Sequence, residues 1–223
     1  ATEWQRDLLE MRPSGSVLKY NRKTGQVVHL ARDLDFPAGV CRDPQRNDSI
    51  LATEAGRYRL LRISLTGKMP PEPVLHDLPG YPFRIASAMD GGLWLSVVAP
   101  RSQLIEFVLR ETQFRRRMLN EIEDPDLWIS PALGSGRSFL EPLQAGAVKQ
   151  LGILKPWAPS RSYGLVVKLD GECRPVASYH SRADGKTHGI TSSVERDGAL
   201  FATSKGGGRI ISIPMSESSM WHA

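Results

Sequence analysis

Cysteine and long apolar stretches are scarce in this sequence, and each shortage excludes a class of protein. Only two of the 223 residues are cysteines, Cys41 and Cys173, too few for a disulfide framework or a zinc site of thiolates. We expect both to be small buried side chains, and a bridge between them stays open. No apolar run approaches the ~18 residues that a membrane-spanning helix needs. The first residues are polar and do not indicate a signal peptide. Because the sequence begins at Ala1 and not at a methionine, removal of a signal or an anchor is an alternative.

The excess of positive charge is small. The sequence has 29 Lys and Arg against 24 Asp and Glu, a net charge of +5. A nucleic-acid interface gathers cations on one face together with stacking aromatics, so we expect no nucleic-acid partner. The one dense run, Arg115 to Arg117, lies in a helical pattern and favours a solvated helix face. An anionic lipid or substrate patch is the alternative.

Two kinds of β-rich segment recur in a fixed order. Segments of the first kind have Lys or Arg side chains on one face of the strand and are often followed by a turn rich in Gly, Asp or Asn. Segments of the second kind have small residues at positions where strands usually have bulky side chains. Small residues fit where several strands crowd round a common axis. The segments of the first kind are residues 15–20, 57–63, 163–169 and 208–213, and those of the second kind are residues 38–43, 85–91 and 189–194.

The recurrence predicts a β-propeller. Four short strands repeat with a period of about 45 residues, which is typical of a propeller blade. The pattern gives half a blade and then three blades, the last without its outer strand, so residues 1–223 form one partial propeller domain. A generic β-sandwich is the alternative, since it also has many short strands.

The middle blade contains an insertion over residues 99–162. Residues 102–122 carry a helical apolar stripe, and Asp124 and Pro125 end it. Residues 132–159 are rich in Gly and Pro and predict a loop. We expect the insertion to cap one mouth of the central channel; packing on the outer rim is the alternative.

Several segments, in order along almost the whole chain, resemble the strictosidine synthase-like propellers. That group includes the adipocyte plasma membrane-associated protein, and the gluconolactonase (SMP-30) and paraoxonase propellers are more distant. The matching segments are residues 8–9, 12–20, 34–40, 52–59, 78–82, 91–95, 99–101, 163–166 and 190–198.

The resemblance implies an all-β, six-bladed propeller with its site at the channel mouth. This chain resembles only the C-terminal part, about three and a half blades. An open half-propeller exposes sheet edges and an apolar face. The missing N-terminal blades are therefore expected from the same longer product or from another chain. An extracytoplasmic or membrane-associated location follows from the resemblance alone.

The resemblance also implies calcium, but the corresponding positions have lost their oxygen donors. Relatives with lactonase or esterase activity hold Ca²⁺ with Asn, Asp and Glu on the inner strands. Here those positions carry Ala38, Phe83 and Arg84. Neither a methyl group nor a phenyl ring coordinates a cation, and a guanidinium repels it. We therefore expect no metal cofactor.

The proton shuttle of the plant synthase is also replaced. Its glutamate corresponds to Thr191 and a nearby family histidine to Gly189, so the synthase reaction is not expected. His188 and Thr191 are weak catalytic candidates. Glu54 ends a strand, where a turn role is favoured over catalysis.

Two functions follow from these residues. The first is an esterase- or lactonase-like hydrolase acting on a small organic substrate, as the resemblance implies. The second is a non-catalytic propeller whose channel holds an anionic or aromatic small molecule through Phe83 and Arg84, with Ala38 nearby. The lost donors favour the second mechanistically.

Overall fold

The computed structural model describes residues 3–136, 149–150, 153–154 and 161–215. Three α-helices and two short 3-10 turns accompany fifteen strands in this part of the chain. The helices are α1 (Glu3–Glu10), α2 (Gln103–Arg110) and α3 (Thr112–Glu121), and the 3-10 turns are Ala55–Arg57 and Pro125–Leu127. The strands are β1 (Gly15–Tyr20), β2 (Val27–Leu34), β3 (Pro37–Arg42), β4 (Ser49–Glu54), β5 (Arg59–Ser64), β6 (Glu72–Leu75), β7 (Gly80–Ser87), β8 (Leu93–Pro100), β9 (Lys149–Gln150), β10 (Ile153–Leu154), β11 (Leu165–Leu169), β12 (Pro175–His180), β13 (Ile190–Arg196), β14 (Ala199–Ser204) and β15 (Arg209–Pro214).

The main sheets are antiparallel meanders of the propeller type. We call β3–β4–β5–β6 the first blade, β7–β8–β11–β12 the second blade and β13–β14–β15 the third blade. β1 and β2 form a two-stranded sheet that packs on the first blade, and β9 and β10 form a separate pair. The all-β propeller-type fold predicted from the repeats is confirmed. The number of blades in a closed ring stays a prediction.

The first strands of the three blades lie side by side. β7 is in the middle, with β3 on one side and β13 on the other. A Cβ on Gly39 would lie 2.5 Å from the carbonyl oxygen of Phe83, closer than two such atoms can approach. Small residues are therefore needed where these strands meet, as the sequence pattern indicated.

Tight turns fix the register of the strands. Asp197 and Gly198, between β13 and β14, have φ angles of 50° and 73°. Positive φ at both central residues is the geometry of the two-residue hairpin turn that matches strand twist. A second turn joins β14 to β15, where the Gly208 amide donates to the Lys205 carbonyl at 3.3 Å.

Apolar layers join successive blades. Leu51 and Leu60 of the first blade pack with Leu93 and Leu95 of the second. On its other face, the second blade contributes the layer that meets the third blade. The members of that second layer are Trp94, Val166, Leu200 and Ala202.

The helical stripe predicted over residues 102–122 is divided into two helices. α2 ends and α3 begins at Glu111, whose φ of −82° and ψ of 76° are not helical. The two helices share a small core with α1, built from Leu9, Val108 and Met118 among others. The loop predicted over residues 132–159 lies largely outside the described residues. The bounds of the insertion, residues 99–162, stay a prediction.

The expectation of a solvated face for the arginine run is wrong for Arg115. Its side chain is buried under α1, where the guanidinium donates to the Leu109 carbonyl and the Met11 sulfur. Burial, followed by the neighbouring charge of Arg116, lowers the pKa of Arg115. Arg116 and Arg117 are exposed, as expected. The break at Glu111 rotates the second helix so that one arginine of the run faces inward.

Both cysteines are free thiols. Cys173 is buried and Cys41 is half-buried, and both belong to the layer between the first and second blades. Burial, with smaller effects from Cys173 and Asp43, raises the pKa of Cys41 to about 12. Both thiols therefore act as apolar side chains near neutral pH. Within the described residues, no helix is long and apolar enough to cross a membrane.

Glu54 organises the turn between β4 and β5. Its fully buried carboxylate accepts a hydrogen bond from the Asp35 amide at 2.7 Å and pairs with Arg59 at 2.5 Å and with Arg57 at 3.2 Å. Burial raises the pKa of the adjacent Asp35. The contacts are those of the turn role that the sequence favoured.

We expect Glu54→Ala to lower the free energy of unfolding by about 1–3 kcal/mol, because the buried Asp35 amide loses its acceptor. The control is Glu72→Ala. The Glu72 carboxylate is exposed and lies 3.8 Å from Arg46, so we expect a loss below about 0.5 kcal/mol. Urea denaturation measures both, and equal losses would contradict the role given to Glu54.

Candidate functional site

The first strands of the second and third blades face each other across a recess of about 540 Å³. β7 forms one wall, and β13 with the end of β14 forms the other. The fold brings together three residues that the sequence singled out, Phe83, Arg84 and Thr191. The full lining consists of Phe83, Arg84, Ile85, Ala86, Thr191, Ser192, Ser193 and Lys205.

Two cations face this recess. The guanidinium of Arg84 is exposed on β7, and Lys205 is exposed directly after β14. Neither side chain forms an ion pair with another residue in the described part of the chain. Because the described lining contains no carboxylate, its potential is positive and favours an anion.

Three hydroxyl groups line the opposite wall. Thr191 Oγ1 donates to the Thr203 carbonyl at 3.4 Å, and Ser192 Oγ donates to Thr203 Oγ1 at 3.2 Å. Ser193 is buried and shares a hydrogen bond of 3.0 Å with Ser96. Among the described lining residues there is no histidine or carboxylate to activate a hydroxyl as a nucleophile. These hydroxyls can accept or donate to a ligand, but they do not form a nucleophile–base pair.

His188 lies away from the recess, in a buried position before β13. Its Nε2 is 3.1 Å from the Arg182 carbonyl and its Nδ1 is 3.2 Å from Ser135 Oγ. Because a carbonyl only accepts, Nε2 donates to the Arg182 carbonyl, and Nδ1 contacts a serine hydroxyl that also lies within hydrogen-bond distance of the Ala183 carbonyl at 3.4 Å. The Nδ1 contact thus joins the insertion to the loop before the third blade, and the Nε2 contact lies within that loop.

Ala38 is close to the recess but does not line it. It is half-buried on β3, next to Gly39, which backs onto the main chain of Phe83 and Arg84. Phe83 is also half-buried; its ring centre is 6.4 Å from that of Phe36, in the layer between the first and second blades. The structure thus separates the ligand candidates into two that line the recess and one that supports its wall.

The residues of the recess do not fit a calcium ion. Calcium takes six to eight oxygen ligands, several of them carboxylates. The described lining of the recess presents two cations and no carboxylate. In the described ranges no group of three or more His, Cys, Asp or Glu side chains could hold a metal. The described residues of the recess therefore do not supply the ligand set of a metal-bound water.

A polar network anchors the insertion to the rim of the first and second blades. Glu106 on α2 accepts hydrogen bonds from Tyr58 at 2.6 Å and from Arg101 at 3.1 Å, and Tyr58 lies 3.2 Å from Tyr81. The Arg101 guanidinium lies 4.0 Å from the centre of the Tyr58 ring. Burial raises the pKa of both tyrosines. Burial also raises the pKa of Glu106, but hydrogen bonds from Arg101 and Tyr58 outweigh it and leave that pKa below its usual value.

The Glu106 network should make stability fall in acid. A carboxylate whose pKa is lowered in the folded state stabilises above the unfolded pKa, about 4.3 for glutamate, and this contribution disappears as the pH falls through the folded pKa. We expect Glu106→Gln to lose about 1 kcal/mol at pH 7 and to lose less stability than the native chain between pH 5 and pH 3. The control is Glu111→Gln, an exposed neighbour. Urea denaturation across this pH range measures both, and an unchanged acid slope in Glu106→Gln would contradict the network.

Sequence reasoning did not find Lys205, Ser192 or Ser193. Lys205 lies directly before a run of three glycines, and this sequence context predicts a solvent-exposed residue of a hairpin turn. Its place in the recess depends on how the third blade packs on the second. The sequence feature that indicated the hydroxyl wall was the run Thr191, Ser192 and Ser193 in a segment assigned to an inner strand.

The comparisons with known proteins agree with the resemblance seen in the sequence. No protein-family model matches the chain. The adipocyte plasma membrane-associated protein of Bos taurus is 30% identical over 130 residues, which cover 53% of this chain and 31% of the relative. The strictosidine synthase-like protein 3 of Arabidopsis thaliana is 32% identical over 107 residues, 48% of this chain and 27% of the relative.

A solved structure of a calcium-binding protein, regucalcin from Agrobacterium tumefaciens, is 16% identical with a TM-score of 0.42. The match covers 86% of this chain and 50% of that chain. The matched region is 31% of the bovine relative, so the activity of a whole relative does not transfer to this chain. The chain is similar to the adipocyte plasma membrane-associated proteins and to a strictosidine synthase-like protein, and it spans about a third of the length of these relatives.

Proposed function

We propose that this propeller binds a small organic anion, without turning it over, in the recess between β7 and β13. The observation that carries the proposal is the pair of cations, Arg84 and Lys205, which face hydroxyl groups in a recess whose described lining residues include no carboxylate. An anion entering there exchanges hydration for charge-assisted hydrogen bonds, which are about twice as strong as neutral ones.

The lining also indicates the chemical class of the ligand. A guanidinium offers paired donors that match a carboxylate or a phosphate. Phe83 and Ile85 add apolar surface beside Arg84. An aromatic or branched acid therefore suits the recess better than a small inorganic ion, because its apolar body would contact these side chains.

The esterase- or lactonase-like activity implied by the family remains the second candidate. It requires an activated water or a nucleophile. The described lining supplies neither a general base nor an oxygen cage for a metal. Binding and hydrolysis are separated by measuring calcium affinity and turnover on the same protein.

We expect Arg84→Ala to weaken binding of benzoate or phenyl phosphate at least tenfold, as measured by isothermal titration calorimetry. The reason is the loss of the paired donors on β7. Arg196→Ala is the matched control, because its exposed guanidinium pairs with Asp197 at 3.3 Å beyond the recess. Equal effects of the two substitutions on binding, or no effect of Arg84→Ala, would contradict the assignment of the recess as the anion site.

Calcium titration tests whether the chain has lost the oxygen donors that would hold a metal ion. We expect no calcium binding and no aryl-ester or lactone turnover by the native chain. We expect Ala38→Asn combined with Phe83→Asp and Arg84→Asn to gain measurable calcium affinity, because three oxygen donors return and one cation is removed. Calcium binding with turnover in the native chain would overturn the binding proposal. No gain in the triple variant would contradict the assignment of these positions.

A further inference from the structure

A second recess adjoins the one between β7 and β13. Its volume is about 440 Å³, and it lies over β14 and the beginning of β15. Thr191 and Lys205 line both recesses, so the two spaces meet at these side chains. A ligand held in the first recess can therefore extend into the second. The other residues that line the second recess are Thr203, Ser204, Gly208, Arg209 and Ile210.

Arg209 gives the second recess a cation of its own. Its side chain is exposed at the beginning of β15, and its Nε donates to the Gly207 carbonyl at 3.2 Å. This contact leaves the two terminal nitrogens of the guanidinium to match a carboxylate or a phosphate. Among the described residues, no ion pair involves Arg209 and no carboxylate lines the second recess. The potential there is therefore positive, as it is in the first recess.

The turn that carries Lys205 and Arg209 is fixed to the loop before β13. The Lys205 amide donates to the Gly189 carbonyl at 2.9 Å, and the fully buried Ser204 Oγ donates to the His188 carbonyl at 2.6 Å. Two like charges are thus kept on one short turn, where they repel each other. A bound anionic group would lower this repulsion.

Arg84 and Arg209 lie on opposite sides of the inner strands of the third blade. Ile190, Ser204 and Arg209 pair across the sheet in one row. Because neighbouring strands are about 4.8 Å apart, the backbone of Arg209 lies about 10 Å from that of Ile190. Arg84 is on β7, on the other side of β13. One anionic group bound at Arg84 therefore leaves Arg209 without a counter-charge.

We propose that the ligand is a dianion whose two anionic groups, carboxylate or phosphate, are joined by an apolar body. One group binds at Arg84 and the other at Arg209, and Lys205 and Thr191 contact the ligand between them. Ile210, which is exposed in the second recess, packs against the apolar body. The inference rests on the proposed function, because it takes the anion site at Arg84 as given, and it narrows the ligand from an organic acid to a diacid.

The test compares two sets of ligands by isothermal titration calorimetry with the full chain. In one set, benzoate carries a para chain of two, four or six methylene groups that ends in a carboxylate. In the other set, the chain has the same length and ends in a methyl group, which controls for apolar contact. We expect at least one carboxylate-ended ligand to bind at least tenfold more tightly than its methyl-ended partner.

Substitutions at the second recess show where the added carboxylate binds. Arg209→Ala should remove the difference between the two partners and change the binding of the methyl-ended ligands less than twofold. Arg209→Lys keeps the charge without the paired donors and should retain a part of the difference. Arg196→Ala is the matched control, because its exposed guanidinium lines neither recess. Thermal unfolding confirms that the variants are folded.

The outcomes separate this inference from the proposed function. If the methyl-ended ligands bind through Arg84 and a terminal carboxylate adds no affinity at any length, the anion site stands and the dianion is contradicted. A difference between the partners that survives Arg209→Ala would also overturn the inference. Absence of binding by either set would overturn both proposals.

Discussion

The packing of the third blade against the second is the interaction on which the candidate site depends. Trp94 is buried between them, and its indole N–H donates to Glu195 at 2.8 Å. The same carboxylate accepts from the Met89 amide at 3.1 Å. One acidic side chain of β13 thus holds both the aromatic core of the second blade and its β7–β8 turn. These contacts fix the position of β13 beside β7, and the recess is the space that this arrangement leaves.

The chemistry of the recess follows from which side chains those two strands present. Inner strands need small residues where they approach one another, and β13 meets that need with Thr191, Ser192 and Ser193, which also carry hydroxyls. β7 presents Phe83 and Arg84 at the positions where related propellers are expected to carry oxygen donors. We therefore propose that a backbone scaffold of the same kind serves an anion here, because fold and function are determined by different residues.

The sequence predicted the fold more completely than the site, for a physical reason. The strand order, the small inner-strand residues and the glycine turns are local features that repeat, so the period of about 45 residues could be recognised. Arg84 and Lys205 are far apart in the sequence and line the same recess only because the second and third blades pack together. The same holds for Arg115, whose burial depends on the break at Glu111 and on contact with α1. His188 was a weak catalytic candidate in the sequence, and only the structure shows that it is buried in contact with Ser135 and Arg182.

The coupling between Trp94 and Glu195 tests the central claim most directly. A double-mutant cycle with Trp94→Phe, Glu195→Ala and the combined variant, followed by urea denaturation, measures it. The account predicts a coupling energy above about 1 kcal/mol, within the range found for residues in direct contact. It also predicts that either single substitution weakens benzoate binding, because β13 loses its fixed position beside β7. Additive free energies together with unchanged binding would contradict the account.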